Sequence, residues 1–398
     1  MNRVLDATAG EVFAAFLKLG LTSFGGPVAH LGYFRDEFVG RRGWLDDRGY
    51  GDLLALSQFL PGPSSSQVGI AIGMTRAGLP GALAAWLGFT VPSAVLMVLF
   101  AFAMVHMTGS VDNDWLGGLK VVAVAVVARA VWTMAQQLCP DRPRVTLAVA
   151  AAMAVLAWPG APGQILAIAM GGVLGWLLLR RRTEEPPSSL GITVSRPTAV
   201  LFLALFVLLL VLLPVAARLT GGLPLALVDS FYRSGALVFG GGHVILPLLQ
   251  AEVVPPGWIE RDLFLAGYGA AQAVPGPLLT FSAYLGAMAD PRLGGWPAGV
   301  LCLVAVFLPS FLLVIGVLPF WDALRRHGKT QSAMAGVNAA VVGLLVAALY
   351  NPVWTSAIHG PGDFALAIVA FVALALWNAP PWLVVIGCGL AGAVMGAI

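Results

Sequence analysis

Two apolar stretches of this chain break in the same way, and the breaks come in matched pairs. Phe24-Gly25-Gly26-Pro27-Val28 reappears as Phe239-Gly240-Gly241-Gly242-His243. Each copy is followed by Gln-x-x-Pro-Gly-Pro, at Gln58, Pro61, Gly62 and Pro63 and again at Gln272, Pro275, Gly276 and Pro277. The correspondence extends outward: Phe16-x-Lys18-x-Gly20 matches Phe231-x-Arg233-x-Gly235, Trp44-Leu-Asp46 matches Trp258-Ile-Glu260, and Pro92-Ser93 matches Pro309-Ser310. Between Trp44 and Pro63 the copies align without a gap, which marks a duplicated unit of roughly 120 to 140 residues. Pro-Gly-Pro ends one helix and begins another, because proline lacks the N–H and obstructs the preceding turn. Paired Gly/Pro interruptions in an apolar repeat protein point to a transporter whose site lies between the repeats.

Composition settles the solvent. Hydrophobic residues make up 59% of the 398 and charged residues 10%, where an ordinary soluble domain has about a quarter charged. Runs such as Ala82 to Val105, Leu119 to Leu138, Pro197 to Val215 and Val300 to Phe320 are long enough to span a bilayer. Strand alternation is absent, so the expected fold is an all-α polytopic membrane protein with Gly/Pro-broken helices. The net charge of +3 sits in short loops and gives no case for nucleic acid. Cys139, Cys302 and Cys388 are scattered and form neither a disulfide framework nor a metal site. The N-terminus lacks a cleavable leader pattern, so a multi-pass protein of a bacterial inner (plasma) membrane is expected.

Residues 1–180 form one repeat, 181–197 a polar linker and 198–398 the second repeat. Arg180 to Arg182 and Arg325 to Lys329 are positive-inside signals. If both Pro-Gly-Pro segments are broken crossings, the halves are antiparallel, about thirteen segments result and both basic loops lie inside. If both are re-entrant, the halves become parallel and the Arg325 loop moves outside. The antiparallel reading is preferred, since Asp36, Glu37, Asp46 and Asp47 balance the arginines of the first-repeat loop.

A broken helix within hydrocarbon is tolerated where its freed backbone groups line a cavity. The helix starting at Pro63-Ser64-Ser65-Ser66 would aim N–H groups, its dipole and hydroxyls there, an arrangement suited to an anion. Pro277 to Thr280 repeats it with fewer hydroxyls. The glycine motifs allow close backbone approach; small-residue helix packing is the alternative. His243 reads as a proton carrier or a packing histidine. Lys18, Lys120, Arg129 and Arg233 lie in or near apolar segments, whereas the acids Glu252, Glu260 and Asp262 are expected in loops and Asp229 at a helix end. A basic residue at membrane depth costs about 2.5 to 3.5 kcal/mol and is seldom idle, with snorkelling the alternative for Lys18 and Lys120. Buried bases without buried acids favour an anionic substrate, with Lys18 or Arg233 as counter-charge. No nucleotide loop or catalytic constellation is present, so secondary transport rather than enzymatic chemistry is expected.

These motifs, FLKLGLTSFGGPVAHLGYF, SQFLPGPSSSQ, FGGGHVILPLL and QAVPGPLLTFSAYLG, resemble the signatures of the chromate ion transporter family in its long two-domain form. The resemblance covers nearly the whole chain. It implies inverted homologous halves and export of chromate, with sulfate as analogue. The family's motif positions fall on Phe24 to Pro27, Gln58, Pro61 to Pro63, Phe239 to His243, Gln272 and Pro275 to Pro277. Implied partners are a chromate- or sulfate-like oxyanion, the lipid bilayer and, as an option, a second copy in a homodimer; no cofactor or metal is implied. Two rival readings are an oxyanion importer on the same scaffold and a non-transporting membrane sensor or assembly subunit.

Overall fold

The computed structural model describes residues 7–107, 114–179, 194–289 and 295–396. The expected linker and its arginines, Arg180 to Arg182, fall almost entirely outside them.

The first repeat begins with α1 (Ala9–Thr22) and α2 (Gly26–Arg35), separated by the first glycine motif. Continued straight, these helices would hold Phe16 and Phe38 about 30 Å apart. Instead the two rings are 4.7 Å apart, and Lys18 lies 3.6 Å from Glu37. The chain therefore turns back at the glycines. The same happens at Pro-Gly-Pro, between α3 (Asp47–Phe59) and the first arm of α4 (Ser64–Met107). The Arg76 guanidinium at the end of that arm stacks over Trp44, just before α3 begins, 5.4 Å from the ring centroid. α4 itself reverses at Ala77 and Gly78, where the backbone leaves helical geometry and Gly73 packs on the Gly81 carbonyl. Only its long second arm, 79–107, crosses.

The second repeat copies this plan. α9 (Leu223–Ala236) and α10 (Ile245–Val253) are clasped by Arg233 and Glu252 at 2.8 Å. α11 (Arg261–Ala271) and α12 (Phe281–Ala289) are clasped by the Tyr284 hydroxyl, which donates to the Leu263 carbonyl at 2.9 Å. α13 (Trp296–Val317) then crosses. So the breaks stand where the sequence places them, but all four are re-entrant hairpins rather than broken crossings. With each hairpin counted once, the tally of membrane segments stays near thirteen.

α13 and the second arm of α4 run antiparallel, with Gly295 against Phe102, Gly299 against Val98, and Trp86 against Phe307 and Phe311. Equivalent helices thus point in opposite directions, and the repeats are inverted. The remaining long helices interlock the halves. α5 (Asp114–Leu138) packs against α17 (Pro361–Ala375) and α18 (Pro381–Gly396); reciprocally, α15 (Gly328–Ala348), which follows the short α14 (Trp321–Arg326) and precedes the short α16 (Thr355–Ala357), packs against α6 (Arg142–Ala157) and α7 (Ala161–Leu178). Small residues permit the approach: Gly118 sits on the Cys388 carbonyl, Gly175 on Ser332 and Gly343 on Ala148.

The first repeat returns to the face on which it started, so an additional crossing is needed to invert the second. That crossing is α8 (Arg196–Thr220), which packs on α9 and α13 and exposes most of its apolar surface. Six helices of the described residues are each long and apolar enough to cross a membrane. Followed along the chain, Arg35, Arg41, Arg42, Arg48, Arg76, Arg142, Arg144, Arg196 and Lys329 all come to one face. The two re-entrant hairpins of each repeat account for this: two turn-backs cancel in parity, so the loop that leads to Lys329 does not have to move across. We call this the basic face and its opposite the far face.

Candidate functional site

The hairpin tips meet at mid-depth and satisfy one another. The Gly62 amide donates to the Val238 carbonyl at 2.5 Å and the Gly276 amide donates to the Ser23 carbonyl at 2.9 Å. Ser23 corresponds to Val238 and Gly62 to Gly276, so the two bonds are two-fold mates. They supply partners for backbone that a broken helix would otherwise leave bare in hydrocarbon. Left-handed φ values of 135° at Gly62 and 99° at Gly276 make glycine the fitting residue at both. The tips also cross reciprocally, with Gly62 against Ser310 and Gly276 against Ser93.

Beside this crossing lies a cavity of about 200 Å³. Gly25, Gly26 and Pro27 line it from the first repeat, where the N-terminus of α2 supplies unpaired backbone donors. Gly240, Gly241, His243, Gln272 and Gly276 line it from the second. His243 Nδ1 shares a hydrogen bond with the Tyr268 hydroxyl at 2.9 Å, which directs Nε2 toward Gly26. The Gln272 Nε2 is buried without a hydrogen-bond partner. α5 completes the wall with Val126, Arg129, Thr133, Met134 and Gln137.

Arg129 makes no ion pair among the described residues, and no carboxylate lines the cavity. A half-buried guanidinium without a counter-ion, beside glycine backbone and a helix N-terminus, is an arrangement suited to an anion. Gln137, Leu374 and Pro381, at the ends of α5 and α17 and the start of α18, mark its mouth toward the basic face.

Several expected residues are elsewhere. Lys18 and Arg233 lie outside the lining, where they pair with Glu37 and Glu252, themselves repeat equivalents. This corrects the placement of the acids: Glu252 is in α10, Asp229 is within α9 beside Arg233, and Glu37 is buried. Hairpins, unlike straight crossings, bring each loop-proximal acid back onto the basic residue of the descending helix. Phe24, Phe239, Gly242, Pro275, Pro277 and Thr280 support the tips without lining the cavity; the Thr280 hydroxyl donates to the Pro277 carbonyl. Gln58, Pro61, Gly62, Pro63, Ser64, Ser65 and Ser66 belong to the one tip that the cavity does not reach. Thr133 and Gln137 escaped sequence reasoning, although their spacing of four and eight from Arg129 puts all three on one helix stripe.

A family model described as "Chromate transporter" matches residues 10–176 and 225–393, one match per repeat. The chain belongs to the chromate transporter family. Among its curated relatives in this family, the "Chromate transport protein" of Pseudomonas aeruginosa is 28% identical over 84% of this chain and 79% of its own length. The protein of the same description from Cupriavidus metallidurans is 26% identical over 93% and 88%. An "Uncharacterized transporter" of Bacillus subtilis is 33% identical over 119 residues, covering 29% of this chain and 65% of its own length. No solved structure matches. The family is one of transport proteins rather than enzymes, and this chain is a multi-pass membrane protein, all-helical among the described residues.

Proposed function

We propose that this transporter exports chromate from the cytoplasm and thereby confers chromate resistance, with residues 1–180 and 198–398 as the two halves of one carrier. The observation that carries the reading is the cavity, in which unpaired Arg129 and the glycine tips face a space without carboxylates that opens to the basic face. The positive-inside rule supports a cytoplasmic position for that face, so the site would load from within. Moving two negative charges out of a negative interior releases about 4.6 kcal/mol per 100 mV, which favours export without a coupling ion. The relatives described as chromate transport proteins support chromate as substrate; sulfate shares its shape and charge.

The test is flux in proteoliposomes of known protein orientation under an imposed potential. Chromate should move from the basic face to the far face, and Arg129→Ala should abolish the movement. Higher intracellular chromate in cells that make the protein would overturn the direction. Sulfate flux without chromate flux would replace the substrate, and no oxyanion flux at either polarity would favour a sensor.

A further inference from the structure

The inverted repeats pack alike over most of their long helices, and one of the contacts at which they differ lies beside the cavity. α5 lies along α11, with Gly269 against the Leu119 carbonyl and Lys120 Nζ 2.8 Å from Asp262 Oδ2. The equivalent helices, α15 and α3, make no comparable packing, and Asn338 and Arg48 stand where the ion pair would be. The contact lies between the cavity wall, at Val126 of α5 and Ala271 of α11, and the far face, so it closes that side, whereas the equivalent pair of helices on the basic-face side is left apart. A second observation concerns the tip that the cavity does not reach. Ser66 Oγ and the Gln67 Oε1 are buried there without hydrogen-bond partners, in residues 3% and 1% exposed. Polar groups held dry and unpaired are costly unless another state supplies their partners.

We propose that the oxyanion leaves through a second site, two-fold related to the first and floored by Gln58, Gly62 and Ser64, which opens to the far face when Lys120 and Asp262 part and α3 closes on α15. The proposal rests on the oxyanion-transport reading of the first cavity. Gln58, Gly62 and Ser64 correspond to the cavity residues Gln272, Gly276 and Leu278. The charges do not correspond: Arg129 is matched by Ala347, and His243 by Val28. The second site therefore offers hydroxyls and amides with no cation. It holds a dianion more weakly than the first, which suits release at the far face.

The experiment uses the full chain in proteoliposomes, with Cys139, Cys302 and Cys388, all buried, replaced by alanine. Ser64→Cys is then labelled with a membrane-impermeant maleimide from the far face. Labelling should be slow with the Lys120–Asp262 pair intact and at least tenfold faster with Asp262→Asn or Lys120→Gln. The exchanged pair, Lys120→Asp with Asp262→Lys, should restore slow labelling. Thr133→Cys should label from the basic face with the pair intact and more slowly in the latch variants, and an unchanged thermal unfolding midpoint of each background in detergent confirms folding. In counterflow, half-saturating chromate should be at least tenfold higher at the far face than at the basic face. Unchanged labelling of Ser64→Cys in both latch variants, labelling of it from the basic face, or equal half-saturation at the two faces would overturn the second site. Chromate binding to the cysteine-free protein by equilibrium dialysis tests the first cavity separately: binding with an unreachable Ser64→Cys sinks only this proposal, and no binding sinks the reading beneath it.

Discussion

The Gly276 amide of one repeat donates to the Ser23 carbonyl of the other at 2.9 Å, and the Gly62 amide donates to Val238 in return. The motifs that repeat along the sequence are therefore partners in space, each Pro-Gly-Pro tip closing the backbone that the opposite glycine motif opens. Their glycines are held by geometry as well as by φ, since a Cβ on Gly276 would lie 2.7 Å from Ser93 Oγ.

Gly276→Ala is expected to destabilise the protein by about 1 to 3 kcal/mol and to abolish flux. Gly43 has a φ of 60° but open space around it, so Gly43→Ala should cost about 1 to 2 kcal/mol and leave flux intact. Thermal unfolding in detergent, paired with liposome flux, separates the two. Equal losses of flux would mean that the crossing of the tips has no special part.

Arg129→Ala removes the cavity's unpaired charge. Loss of a desolvated, charge-assisted contact costs about 2 kcal/mol or more, so oxyanion binding should weaken roughly 30-fold or more. Arg129→Lys should recover part of it, because the charge returns without the planar fork. Binding by equilibrium dialysis is the readout.

Lys18 is half-exposed, at 52%, while Glu252 and its partner Arg233 are 12% and 24% exposed. Lys18→Ala should therefore cost less than about 1 kcal/mol and Glu252→Gln about 1 to 3 kcal/mol. Neither should change chromate affinity in the folded fraction. A tenfold loss of affinity in Lys18→Ala would return that residue to the site.

Reporter fusions at Gly78 and at His327 should report the same side of the membrane. Gly78 ends the second re-entrant hairpin of the first repeat, and His327 precedes α15. Opposite sides for the two fusions would show that one of the two breaks of the second repeat crosses.

Much of this was legible in the chain. Apolar run lengths dictate helices, because hydrocarbon leaves the backbone no other partner. Gly25, Gly62 and Gly276, each beside or near proline, and Gly240, in a run of three glycines, dictate where those helices end. Arg129 stood out as a basic residue in VVAVAVVARAVW. Which way the chain leaves each break is a different matter. A proline ends a helix without fixing the angle of the next one, and that angle is set by contacts such as Arg76 over Trp44 and Tyr284 over α11. The same contacts moved Lys18 and Arg233 out of the site by returning Glu37 and Glu252 to them. The repeat and its broken helices are thus properties of the sequence, fixed by local chemistry. The hairpins, the reciprocal bonds between tips and the choice of Arg129 over other cations were decided only when two inverted halves packed together, because each depends on residues more than a hundred positions apart or on a turn that local chemistry leaves free.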